Sequence, residues 1–212
     1  MEERFIQVRR TARYHVLGQL DAAPEIWIVI HGYGQLARYF LNNFKGLETG
    51  RCFIAPEGLS RFYLDAQHSR VGATWMTRED RLHEIEDHMS YLDDLVTEAL
   101  KQAIPTATLS VLGFSQGVAT ASRWAARTRH RIHRLVLWAG TLPPELDREA
   151  LAAWRGITVD AVLGDADEYA GPEQLEGQAR KLMGACLMVR KHLFQGGHKL
   201  EAVTLARLIE GR

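Results

Sequence analysis

Apolar residues in this chain fall in short runs separated by amphipathic stretches. Ile26-Trp27-Ile28-Val29-Ile30 is continuously apolar, the pattern of a strand covered on both faces. Cys52 to Pro56, Thr108 to Leu112, Leu135 to Trp138, Ile157 to Leu163 and Cys186 to Phe194 read as further strands. Phe5 to Val8 and Tyr14 to Gly18 are separated by a short polar stretch, which predicts an N-terminal antiparallel hairpin. Helical patterns lie between: Leu36 to about Leu47, the segment after Ser115 to about Arg129, Pro172 to about Met183, and Leu200 to about Ile209. The longest helix starts at Thr77-x-x-Asp80, which resembles a capping box. It carries Leu82, Ile85, Met89, Leu92, Leu95, Val96, Ala99 and Leu100 on one face, and Pro105 follows it. Strands alternating with helices predict an α/β fold: a mainly parallel central sheet with helices on both faces. Glu57 to Met76 shows no clear period and predicts a long loop. Its Phe62, Tyr63 and Trp75 predict that it packs over something.

Composition narrows the class. The 212 residues fit one domain, 1–212, with a large core, and no repeat or linker divides them. Hydrophobic residues make up 46% and charged residues 25%, an ordinary globular balance. Lys plus Arg equals Asp plus Glu, 26 each, which argues against nucleic acid as a partner. Cys52 and Cys186 lie in apolar runs and read as small core residues, not as a disulfide or a metal site. The charged start Met1-Glu2-Glu3-Arg4 has no signal-peptide character, and no apolar run has the length of a membrane span. The expectation is a cytoplasmic enzyme. A homo-oligomer is compatible with the sequence but not readable from it.

The candidate chemistry begins at Gly113-Phe114-Ser115-Gln116-Gly117, between an expected strand and an expected helix. Gly-x-Ser-x-Gly in that setting is the nucleophile elbow of α/β-hydrolases, a turn tight enough to need small neighbours. By composition alone such a pentapeptide arises in roughly one chain in 15 of this length, so context decides its meaning. A serine hydroxyl needs a base within hydrogen-bond reach and a third group to orient that base. In α/β-hydrolases these follow as Asp or Glu, then His, in loops at the carboxyl ends of strands. Gly164-Asp165-Ala166-Asp167 follows one expected strand, and Gln195-Gly196-Gly197-His198 follows the last. His198 is the candidate base, and both Asp165 and Asp167 are eligible to orient it. The oxyanion needs two backbone N–H donors. Gln116 supplies one at a helix N-terminus, and Tyr33, in His31-Gly32-Tyr33-Gly34, is the candidate for the second.

The other histidines read more simply. His83 and His88 stand five residues apart, off a common helix face, so they are expected to be exposed rather than metal ligands. His31 is expected to buttress backbone. His130 and His133 lie in a basic turn and are expected to be solvated.

With these residues in hand, the chain resembles the phospholipase/carboxylesterase family of α/β-hydrolases, which includes bacterial carboxylesterases and acyl-protein thioesterases. His31-Gly32-Tyr33-Gly34, Ala55-Pro56-Glu57, Ala73-Thr74-Trp75-Met76, Gly113 to Gly117, Ala139-Gly140-Thr141-Leu142-Pro143 and Gly197-His198 carry the resemblance. It implies a serine hydrolase of carboxylic esters or thioesters with no metal or organic cofactor. It implies Ser115, Asp167 and His198 as the catalytic set and Tyr33 and Gln116 as oxyanion donors. Its pattern departs at Glu168-Tyr169-Ala170-Gly171-Pro172, where the family usually has Val-Pro, so the pocket wall differs. Phe62, Tyr63, Trp75, Met76 and Leu142 are candidates to bind a small-molecule acyl substrate, and each also fits ordinary core packing. An amidase or peptidase on the same scaffold is the alternative reading, and a non-catalytic binding protein a further one.

Overall fold

The computed structural model describes residues 1–211. In chain order the elements are β1 (Tyr14–Leu17), β2 (Glu25–Ile30), α1 (Ala37–Phe40), β3 (Arg51–Pro56), β4 (Ser60–Tyr63), β5 (Val71–Thr74) and α2 (Arg81–Gln102). They continue with β6 (Thr108–Phe114), α3 (Gln116–Arg127), β7 (Ile132–Trp138), β8 (Thr158–Gly164), α4 (Pro172–Gly184), β9 (Val189–Phe194) and α5 (Ala202–Glu210). Seven strands form one sheet in the order β1-β3-β2-β6-β7-β8-β9. Every neighbouring pair is parallel except β1 with β3.

The apolar run of β2 shows why the sheet is covered on both sides. Ile26, Ile28 and Ile30 enter a core with Leu92, Val96, Val118 and Trp124 from α2 and α3. Trp27 and Val29 point the other way, into a core with Phe40, Phe44, Leu205 and Leu208. Alternation at period two thus feeds two helical layers from one strand. Because β3, β2, β6, β7, β8 and β9 run parallel, the turns after β2, β6, β8 and β9 open at the carboxyl ends of the strands, on one side of the molecule.

Four local expectations are corrected. Phe5 to Val8 takes no regular structure, and Phe5, Ile6 and Val8 are exposed. The expected partner strand β1 pairs instead with β3, Tyr14 opposite Pro56, and its outer edge stays open as the edge of the sheet. The segment Glu57 to Met76 is not an irregular loop but holds the antiparallel pair β4 and β5, with Phe62 opposite Gly72. Gly72 backs directly onto the Gly34 backbone, and a Cβ there would run into the Gly34 carbonyl. Helix α2 begins one residue past Asp80, which is left-handed (φ 49°) and makes no side-chain cap bond. Its carboxylate is taken by His83 at 2.6 Å, while Glu84 reaches back to the Thr77 N–H at 2.6 Å. Leu82, expected on the apolar face, is 69% exposed in that first turn. Finally, Cys52 is buried in β3, but Cys186 is exposed with φ 62° in the turn after α4, ahead of β9. Among the described residues no helix is long and apolar enough to cross a membrane.

Candidate active site

The elbow forms because strand β6 and helix α3 leave one residue between them. Ser115 occupies it with φ 53° and ψ −118°, a backbone region that L residues avoid. Its N–H donates to the Trp138 carbonyl at 2.9 Å, which holds the turn to β7. The flanking glycines are steric requirements. A Cβ on Gly113 would meet the Gly117 carbonyl, and one on Gly117 would meet the Ile30 carbonyl.

Three side chains converge across that turn. His198 Nε2 lies 2.8 Å from Ser115 Oγ, and His198 Nδ1 lies 2.8 Å from Asp167 Oδ2. Asp167 Oδ1 accepts the N–H groups of Tyr169 (2.9 Å) and Ala170 (3.2 Å), so both carboxylate oxygens are occupied. Asp165 does not reach the histidine. Its Oδ1 accepts the Gly196 N–H at 2.9 Å and fastens the two loops to each other. The His198 imidazole lies between Phe114 and Tyr169, at centroid distances of 5.0 and 4.7 Å. Its backbone N–H donates to Glu168 Oε2 at 3.3 Å.

Facing this group is a denser wall. Gly32 N–H donates to Gln35 Oε1 and Gly34 N–H to the Ala73 carbonyl, whereas Tyr33 N–H has no acceptor among the described residues. Gln116 is the first residue of α3, so its N–H has no carbonyl one turn back. His31, fully buried, buttresses backbone as expected: Nδ1–H donates to the Gly32 carbonyl at 2.7 Å and Nε2 accepts the Gly58 N–H at 3.0 Å. Burial pushes its pKa down to about 4.

His88 contradicts the expected exposure. It is 2% exposed, its Nδ1–H donates to the Glu84 carbonyl, and its Nε2 accepts the Leu59 N–H at 3.2 Å. Burial lowers its pKa as well. Its sequence signal was its position three residues after Ile85 and four before Leu92 on the apolar face of α2. Trp75 lies against both imidazoles, with centroids 5.1 Å from each. The Gln116 side chain then clamps the end of β5, with Oε1 accepting the Trp75 N–H at 3.1 Å and Nε2 donating to the Met76 carbonyl at 2.9 Å. Buried Glu57 ties the same region together. Burial opposes its charge, but hydrogen bonds from Arg61 and Arg13 outweigh burial and lower its pKa, and its Oε2 caps the Ala37 N–H at 3.2 Å.

The phospholipase/carboxylesterase family model matches residues 14–210. The chain belongs to this family. It is thereby a carboxylesterase- or thioesterase-type hydrolase. Among solved structures, esterase PE8 aligns at 21% identity and TM-score 0.73, covering 95% of this chain and 99% of its own. Acyl-protein thioesterase 2 from Zea mays aligns at 18% identity and TM-score 0.74, with 95% and 97% covered. The Bacillus cereus carboxylesterase aligns at 15% identity and TM-score 0.71, with 94% and 92% covered. At these identities the likeness is one of fold. A search of curated protein sequences found no match.

As a member of this family, the chain positions the five candidate wall residues unequally. Phe62 stacks on the Tyr33 ring at 5.0 Å, beside the free Tyr33 N–H. Tyr63, one residue along the strand, points to the opposite face, is 57% exposed and stacks on His68 at 4.4 Å. Trp75 is 1% exposed and its indole N–H donates to the His31 carbonyl, so its ring lies within the core. Met76 and Leu142 are half-buried: Met76 lies against Arg123, and the Leu142 N–H donates to Gln178. Tyr169 was not singled out, although its place two residues after Asp167 put it beside any histidine held there.

Proposed function

We propose that this protein hydrolyses carboxylic esters, thioesters included, through an acyl-enzyme formed on Ser115. The observation that carries the reading is the continuous chain of 2.8 Å contacts from Ser115 Oγ through the imidazole of His198 to Asp167. His198 Nε2 takes the hydroxyl proton as Oγ bonds to the carbonyl carbon. Asp167 holds the Nδ1–H tautomer and stabilises the imidazolium. The carbonyl oxygen becomes an oxyanion facing the Tyr33 and Gln116 N–H groups, both of which lack protein acceptors. Collapse breaks the bond to the leaving oxygen or sulfur, which receives the proton from Nε2. Water then repeats the sequence on the acyl-enzyme and releases the acid.

A fluorophosphonate probe tests this directly. It is expected to label Ser115 stoichiometrically, and Ser115→Ala is expected to lose labelling and roughly 10⁴-fold or more in kcat on p-nitrophenyl esters. Labelling elsewhere, or full activity in the variant, would sink the proposal.

A further inference from the structure

The two rings that flank His198 differ in what surrounds them. Phe114 is 5% exposed and backs the imidazole from the core. Tyr169 is 72% exposed and meets it nearly at right angles, with an interplanar angle of 68°. Core packing does not account for an aromatic side chain this open, and its hydroxyl makes no hydrogen bond among the described residues. Its backbone is nevertheless held. The N–H groups of Tyr169 and Ala170 both close on Asp167 Oδ1, so the carboxylate that holds His198 also fixes the backbone that carries this ring.

The chemistry dictates what must pass it. The leaving oxygen or sulfur takes its proton from His198 Nε2, so it sits against the imidazole. The oxyanion of the proposed reaction faces the Tyr33 and Gln116 N–H groups. Of the two rings against that imidazole, Phe114 is buried, and the exposed Tyr169 ring, 4.7 Å away, is the one a substituent on the leaving group can meet.

We propose that Tyr169 is the leaving-group specificity residue, a fixed aromatic platform that favours aromatic alcohols or thiols over saturated ones of the same size. The proposal rests on the Ser115–His198 reading above. Ring pairing adds a preference of about three- to tenfold beyond area burial.

The test compares kcat/KM for benzyl acetate and cyclohexylmethyl acetate, which share an acyl group and a leaving-group size. The benzyl-to-cyclohexylmethyl ratio is expected to be about three- to tenfold higher in wild type and Tyr169→Phe than in Tyr169→Leu, with Tyr169→Trp at least as high as wild type. A ratio is independent of the fraction of folded enzyme, so partial misfolding of a variant does not blur it. An identical ratio in wild type and Tyr169→Leu overturns the proposal. Hydrolysis of both esters that persists in Ser115→Ala overturns the underlying reading instead, and is recognised because activity is kept rather than selectivity lost.

Discussion

The two walls of the site are built on opposite plans. The wall behind the proposed oxyanion donors is dense and buried: two imidazoles with lowered pKa values, a buried glutamate held by two arginines, and the Gln116 clamp on β5. The wall that carries His198 is a pair of short turns, with His198 between glycine and lysine and with Glu168 and Tyr169 in solvent. Each plan suits its task. Oxyanion donors stabilise charge only if they are aimed before the charge develops. In the proposed reaction His198 exchanges protons with groups that arrive and depart, a task that open surroundings suit.

The sharpest way to break this comparison is within the open wall. Asp167→Asn is expected to lower kcat by about 10³- to 10⁴-fold, because the amide no longer selects the productive tautomer. Asp165→Asn keeps an oxygen that accepts the Gly196 N–H and is expected to stay within about threefold of wild type. Steady-state kinetics on one ester decides it, and the reverse ranking would move the orienting role to Asp165.

The dense wall is expected to reveal itself through acid. His31 has its pKa lowered from 6.5 to about 4 in the fold, so between those values the unfolded chain binds the proton that the native state refuses. Its contribution is complete above about pH 6.5 and is lost as pH falls toward 4, a difference of ~3 kcal/mol by pH 4. His88 adds to it with the same sign. Urea unfolding at pH 7, 5.5 and 4.5 measures the slope, and a flat profile would contradict neutral imidazoles in this wall.

The smallest effect sharpens the link between the walls. Gln116→Glu keeps the size of the side chain but replaces the donor to the Met76 carbonyl with a second acceptor. Misalignment of one oxyanion donor is expected to lower kcat about tenfold with KM little changed. An unchanged kcat would show that the clamp and the donor are independent.

The two walls also differ in how far they could be read from sequence. Ser115, the two eligible aspartates and His198 stood out because each follows an apolar run in a required order. Ser115 and His198 now lie 2.8 Å apart although 83 residues separate them. The dense wall offered no such order. His31 reaches Gly58, His88 reaches Leu59 and Gln116 reaches Trp75 across 27, 29 and 41 residues, through backbone groups that leave no mark on residue type. The β4–β5 pair leaves no period in the sequence because four-residue strands are too short to establish one. Its register depends on the close approach of Gly72 to Gly34, which only the fold reveals. Trp75 is aromatic and lies in a segment that resembles the family's site lining, which points to the pocket wall, yet it is the filler between two imidazoles.

The backbone of Ser115 bears on how such a chain would drift without selection. At φ 53° and ψ −118°, glycine is the residue that fits without strain. Relief of a conformation of this kind is worth about 1–3 kcal/mol, against the roughly 0.5–1 kcal/mol that glycine's unfolded freedom takes back. In its proposed role Ser115 is therefore a local liability to the fold, against the direction in which mutation toward stability would carry it. A descendant relieved of the proposed chemistry would gain stability by exchanging this serine for glycine.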